Sequence, residues 1–89
     1  MNYSFHPDAE GELEQAESHY DGIDETLGDR FRAEFEMSIA RILSFPHAWQ
    51  ALSENIRRRR LILFPYGIVY RLKPNEVRIL DSDASSSGT

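Results

Sequence analysis

Cysteine is absent from this 89-residue chain, which excludes disulfides and thiolate chemistry. No stretch approaches the roughly 18 consecutive apolar residues that a membrane-spanning helix requires. The opening MNYSFHPDAE has neither a basic flank nor an apolar run, so no secretory signal is expected and a cytoplasmic location is. The three histidines, His6, His19 and His47, are scattered without paired spacing, so no metal site and no cofactor is expected. Neither a phosphate-cradling glycine loop nor a Ser–His–Asp pattern is present.

Positive charge is scarce in the first part of the chain. Residues 1–54 carry twelve Asp and Glu against three Arg, whereas residues 55–89 carry seven Lys and Arg against three acids. An acidic half is therefore joined to a basic one. One reading is mutual neutralisation within a single fold; the other is a basic surface offered to an acidic partner. At this length one domain with one modest core is expected, and the ordinary composition argues against wholesale disorder.

The richest stretch is Ile56–Leu80, IRRRRLILFPYGIVYRLKPNEVRIL, which concentrates β-branched and aromatic residues between two prolines. Pro65 interrupts the first apolar run. Lys73-Pro74-Asn75-Glu76 interrupts the second, with proline at a position of fixed φ and asparagine where a turn tolerates the left-handed region. Three strands follow, over Ile56–Leu63, Tyr66–Leu72 and Glu76–Asp81, as an antiparallel meander. Asn2–Phe5 reads as an edge strand.

Pro7 suits the first position of a helix, with Asp8, Glu10 and Glu12 favourable against its dipole, although His6 is a poor cap residue. Ala9, Leu13, Ala16, Tyr20 and Ile23 recur at spacings of four and three, one face of an amphipathic helix that stops near Asp21-Gly22. A second helix is expected to open near Leu27–Asp29 and to end at Phe45-Pro46, with Phe31, Phe35, Ile39, Ile42 and Phe45 inward. Residues 46–55 then read as a loop, with Trp49 plugging the seam between sheet and helices. The fold class is α+β: an N-terminal strand, an antiparallel helix hairpin, then the meander, with the helices on one face. Residues 1–83 form the domain, and the serine-rich residues 84–89 form a flexible tail.

Phe5-His6-Pro7-Asp8-Ala9, Leu27-Gly28-Asp29-Arg30-Phe31, Pro46, Ile56-Arg57-Arg58 and Phe64–Arg71 followed by Val77–Leu80 stand at the joints of this order. In that order and spacing the chain resembles the RelE/ParE toxin superfamily of bacterial toxin–antitoxin systems, over about residues 3 to 82, and most of all its ParE branch of plasmid-stabilisation proteins. The resemblance implies a small cytoplasmic toxin neutralised by a co-expressed antitoxin. The better-known ParE members poison DNA gyrase, so the antitoxin and gyrase are the expected partners, and a homodimer is left open. In the family the last strand runs into an alanine–valine–histidine-like segment and a basic tail. Here Asp81–Thr89 reads DSDASSSGT, so this chain departs at that place, and attenuated toxicity or a different target follows as an expectation.

The ribonuclease branch of the superfamily cleaves messenger RNA on the ribosome, which requires groups that move protons and stabilise a pentavalent phosphate. That branch often has an arginine where this chain has Gly67, and a tyrosine or histidine after the last strand where this chain has none. Strand alternation turns Tyr66, Ile68, Tyr70, Leu72, Val77 and Ile79 toward the helices, and Arg71, Arg78 and Leu80 away. Guanidinium groups hold phosphate but do not shuttle protons near neutrality. The expectation therefore leans away from an enzyme. Arg57–Arg60 alternate two per face and so cannot form one patch. They either pair with helix carboxylates such as Glu34 or Glu36, or anchor an acidic partner. The net acidic chain and the lack of interleaved aromatics argue against direct nucleic-acid binding. Arg58, Arg60, Arg71 and Arg78 are the candidate partner-binding residues, with no catalytic residue assigned. A ribosome-dependent endoribonuclease and a degenerate member that only binds antitoxin are the alternatives.

Overall fold

The computed structural model describes residues 2–84, with side chains through Asp81. The elements in chain order are β1 (Asn2–Phe5), α1 (Pro7–Ile23), α2 (Glu25–Ser44), β2 (Gln50–Ala51), β3 (Ile56–Arg60), β4 (Tyr66–Lys73) and β5 (Glu76–Ala84). Pro7 occupies the first turn of α1. His6 caps it after all, because its Nδ1 accepts the amide of Asp8 at 3.1 Å as a Ser or Asp oxygen would. The two helices share one boundary residue. Asp24 ends α1 with extended backbone, and its carboxylate accepts the amide of Thr26 at 2.8 Å to open α2. The second helix therefore begins several residues earlier than expected, because an aspartate cap stands directly behind the first helix.

The sheet has five strands in the order β1-β5-β4-β3-β2. β3, β4 and β5 pair antiparallel through the Pro65 and Pro74 connections. The whole is mixed rather than an antiparallel meander alone: β1 runs parallel to β5, with Tyr3 opposite Val77 and Phe5 opposite Ile79. β2, inside what reads as a loop, adds a two-residue antiparallel edge against Arg57 and Arg58. A bulge between Val69 and Tyr70 places Tyr70 opposite Ile79 and Val69 opposite Asp81, so Leu80 is the inserted residue. Pairing does not fade at Asp81 but continues to Ala84 opposite Tyr66. Apart from the backbone of Ala84, the expected tail at 84–89 lies outside the described residues.

Both helices cover one face of this sheet. Ala9, Leu13 and Ala16 of α1 and Phe31, Phe35, Ile39 and Ile42 of α2 are buried with Tyr66, Ile68, Tyr70, Val77 and Ile79. Phe31 lies at the centre, its ring edge-on to Phe64 at 5.3 Å and to Tyr66 at 5.2 Å, with Tyr20 at 5.1 Å. Two residues expected inward are not. Ile23, the last residue of α1, and Phe45, the C-cap of α2, are exposed. Where the helices meet, Gly28 admits the backbone of Asp21: a Cβ there would stand 3.0 Å from the Asp21 Cα.

Candidate functional site

Register decides which side chains share the uncovered face. Cross-strand partners point to the same side, so Arg57 goes with buried Tyr70 and Arg59 with buried Ile68, toward the helices. Arg58 opposite Val69 and Arg60 opposite Gly67 face outward, as does Arg71 opposite Arg78. All four candidate residues thus lie on one face, in three adjacent rows. One row runs Gln50, Arg58, Val69, Asp81, and the next runs Ile56, Arg71, Arg78, Ser4. The Arg quartet does divide two per face, and its outward pair joins Arg71 and Arg78.

Each arginine is held differently. Arg78 Nη1 donates to Ser4 Oγ at 3.3 Å, which ties β1 to β5 across the open face. Arg71 and Arg60 are exposed. The Arg58 side chain lies across Gly67, whose missing Cβ would stand 2.8 Å from Nε and 3.5 Å from the guanidinium carbon. The neighbouring strand thus lays a guanidinium over β4 at this point, and glycine makes room for it. Asp81 also reaches this face, because the bulge at Leu80 reverses the alternation that would have turned it toward the helices. Pattern reading could not find it, since a bulge has no marker in this stretch.

The inward arginines are structural. Arg57 Nη1 donates to the carbonyls of His47 at 3.1 Å and Trp49 at 2.7 Å, pinning the segment between α2 and β2. Arg59 is buried with its guanidinium 4.1 Å over the Trp49 ring, a cation–π contact that places Trp49 at the seam as expected. Burial, and then the charge of Arg41, lower the pKa of Arg59. The expected pairing with Glu36 does not occur, because Glu36 binds Arg32 at 3.1 Å and Arg32 reaches back to Glu17 at 3.1 Å. Glu34 is buried instead as an acceptor for the amides of Ile62 and Leu63, the latter at 3.1 Å, and only its field acts on Arg59. That carboxylate holds the backbone amides of Ile62 and Leu63 against α2, and β3 ends at Arg60 rather than at Leu63.

Tyr70, opposite Arg57, donates its hydroxyl to the carbonyl of Pro46 at 2.7 Å. Burial pushes its pKa up to about 12, against the pull of Arg57 and Arg59. Tyr66 donates to the carbonyl of Glu12. Both phenols therefore point away from the open face, which carries no histidine or tyrosine among its described residues. Among the described residues no cluster of three or more His, Cys, Asp or Glu could hold a metal ion, and no helix is long and apolar enough to cross a membrane. The open face can bind anions through paired and forked N–H donors. Its described residues also include the Asp81 carboxylate, in the same row as Arg58.

A two-helix hairpin over a mixed five-stranded sheet with an arginine-bearing open face defines a small α+β domain. Residues 3–81 match the family model for the ParE toxin of the type II toxin–antitoxin system parDE, and the chain belongs to that family. A solved structure, the chromosomal ParDE toxin–antitoxin system from P. aeruginosa, contains a chain with the same fold. The TM-score is 0.68 at 16% identity, covering 94% of this chain and 95% of that one. No curated protein matches the sequence.

Proposed function

We propose that this ParE-family toxin acts in the cytoplasm by binding a cellular target, DNA gyrase in the first instance, and that a cognate antitoxin neutralises it by covering the same basic face. The observation that carries this reading is the convergence of Arg58, Arg60, Arg71 and Arg78 on the face that no helix covers. Such a surface concentrates positive charge on a chain of net charge −5, so it attracts an acidic segment while the rest of the molecule repels one. An antitoxin that is disordered when free can lay acidic residues across this face and gain contact area against its ordering cost. Among the described residues, the guanidinium groups of the open face suit an acidic segment, which favours binding over ribonucleolytic chemistry. Expression without antitoxin is the test. Growth arrest accompanied by loss of DNA supercoiling supports the reading, arrest with transcript cleavage supports the ribonuclease alternative, and unimpaired growth supports a member that only binds antitoxin.

A further inference from the structure

Arg59 carries a buried charge that the fold leaves unpaired. The residue is 9% exposed, its Nε is buried without an acceptor, and among the described residues no carboxylate forms an ion pair with it. Its side chain is turned toward the helices, opposite buried Ile68, with the guanidinium 4.1 Å over the Trp49 ring. Glu34 acts on it only through its field, because that carboxylate is committed to the amides of Ile62 and Leu63, and Arg41 adds a like charge. Holding a guanidinium out of water without a counter-charge is costly, and an apolar side chain would fill the same place without that cost.

The same arginine lines a cleft of about 380 Å³ between α2 and the β3–β4 connection. Ala33 and Met37 of the helix and Ile62 and Leu63 of the connection form its apolar walls, and Arg30 lines it as well. These walls are open to solvent: Ile62 is 80% exposed, Leu63 72% and Met37 53%. The volume falls in the range of about 300–1,000 Å³ that small-molecule sites occupy, and such sites combine mostly apolar walls with a few fixed polar groups. We propose that this cleft binds a free small-molecule carboxylate with an apolar body, of the medium-chain fatty acid class, its carboxylate paired with Arg59 and its chain along Met37, Ile62 and Leu63.

Charge selects an anion. Arg30 lines the cleft, Arg41 follows on the same helix close enough to lower the pKa of Arg59, and the one carboxylate in the lining, Glu34, is buried against two amides. The donor set selects a carboxylate over a phosphate. A single guanidinium held over an indole matches one carboxylate by its planar fork. A phosphate brings further acceptor oxygens, and the backbone donors nearest to them, the amides of Ile62 and Leu63, are already taken by Glu34. The apolar walls select the body, since an anion without one would leave Met37, Ile62 and Leu63 in water. The inference does not depend on the reading of the chain as a toxin.

The chain has one tryptophan, and Trp49 lies under the Arg59 guanidinium, so its emission reports on the site directly. The full chain titrated with sodium decanoate, well below the concentration at which it forms micelles, should give a saturable change in Trp49 emission with a Kd on the order of 100 μM, matched by calorimetric titration. Decanol, which keeps the chain without the charge, and acetate, which keeps the charge without the chain, should each bind at least tenfold more weakly. Ala33→Phe and Leu63→Asp, both at exposed positions, should weaken decanoate binding at least tenfold with unchanged melting temperatures. Arg59→Lys, which retains the charge but not the fork, should weaken it about fivefold. Decanol or inorganic phosphate binding as tightly as decanoate would overturn the proposal, as would an affinity indifferent to Ala33→Phe and Leu63→Asp. So would a signal that fails to saturate below the micelle concentration. Adhesion to phosphatidylglycerol vesicles that decanoate does not displace would assign the apolar walls to a lipid surface and overturn it as well.

Discussion

The carboxylate of Glu34, inside α2, accepts the backbone amide of Leu63 at 3.1 Å and that of Ile62 beside it, clamping the β3–β4 connection to the helix. A buried charge-assisted acceptor serving two amides is the kind of group whose removal leaves donors stranded. Glu34→Ala should lower the unfolding free energy by about 2–4 kcal/mol, with Glu34→Gln intermediate because its amide oxygen still accepts. Urea denaturation measures the loss, and hydrogen exchange at the amides of Ile62 and Leu63 should accelerate ahead of those in β4.

Arg71 is exposed on the open face and stands opposite Arg78. Arg71→Glu should weaken antitoxin affinity at least tenfold by placing like charge against an acidic segment, while the melting temperature stays within about 2 °C. Calorimetric titration with the antitoxin and a thermal scan separate the two. A large drop in melting temperature with unchanged affinity would make Arg71 structural.

Gly67 holds the space that Arg58 crosses. Gly67→Val should push the Arg58 guanidinium aside, since a Cβ at 2.8 Å from Nε cannot coexist with that rotamer. Partner affinity should fall several-fold, and Gly67→Ala should fall less. Combining either with Arg58→Ala should add little further, because both act on the same group.

Gly28 poses the stricter demand. A Cβ there meets the Asp21 Cα at 3.0 Å, so relief requires the helices to separate rather than a side chain to rotate. Gly28→Ala should therefore destabilise by about 1–3 kcal/mol despite alanine's better helix propensity. Chemical denaturation of the two proteins side by side decides the sign.

Tyr70 gives the alkaline limit. Its pKa rises from the ordinary 10.0 to about 12 because burial disfavours the phenolate. The unfolded chain ionises this group first, so its contribution is intact below pH 10 and is lost as pH rises toward 12. The loss should be on the order of 2–3 kcal/mol. Stability measured from pH 8 to 12 should show this fall, and Tyr70→Phe should remove that component while sacrificing the bond to the Pro46 carbonyl.

The helix hairpin was legible from Ala9 through Tyr20 and from Phe31 through Ile42, because apolar residues recur there at helical spacing and tertiary packing uses that same stripe. The face assignments of Arg71 and Arg78 were legible for a similar reason, alternation against buried Tyr70 and Val77. Features that depend on a single contact at a distance were not. β3 ends at Arg60, beyond which Glu34, a residue 26 positions earlier, holds the next amides against α2, and nothing in LILFP announces it. The parallel pairing of β1 with β5 joins opposite ends of the chain, and the two-residue β2 is too short to carry a pattern. Which pair of the Arg quartet turns outward depends on register, which the sequence leaves open by one residue.

The place of β1 has a consequence for how the molecule is made. β1 hydrogen-bonds to β5, the last strand in chain order among the described residues, with His6 also donating to the carbonyl of Ile79. A nascent chain can coil its helix pair early, yet its N-terminal edge finds no seat until Glu76–Ala84 has been translated. A copy cut short before Glu76 would thus lack both the completed ribbon and the Arg78 that Ser4 holds.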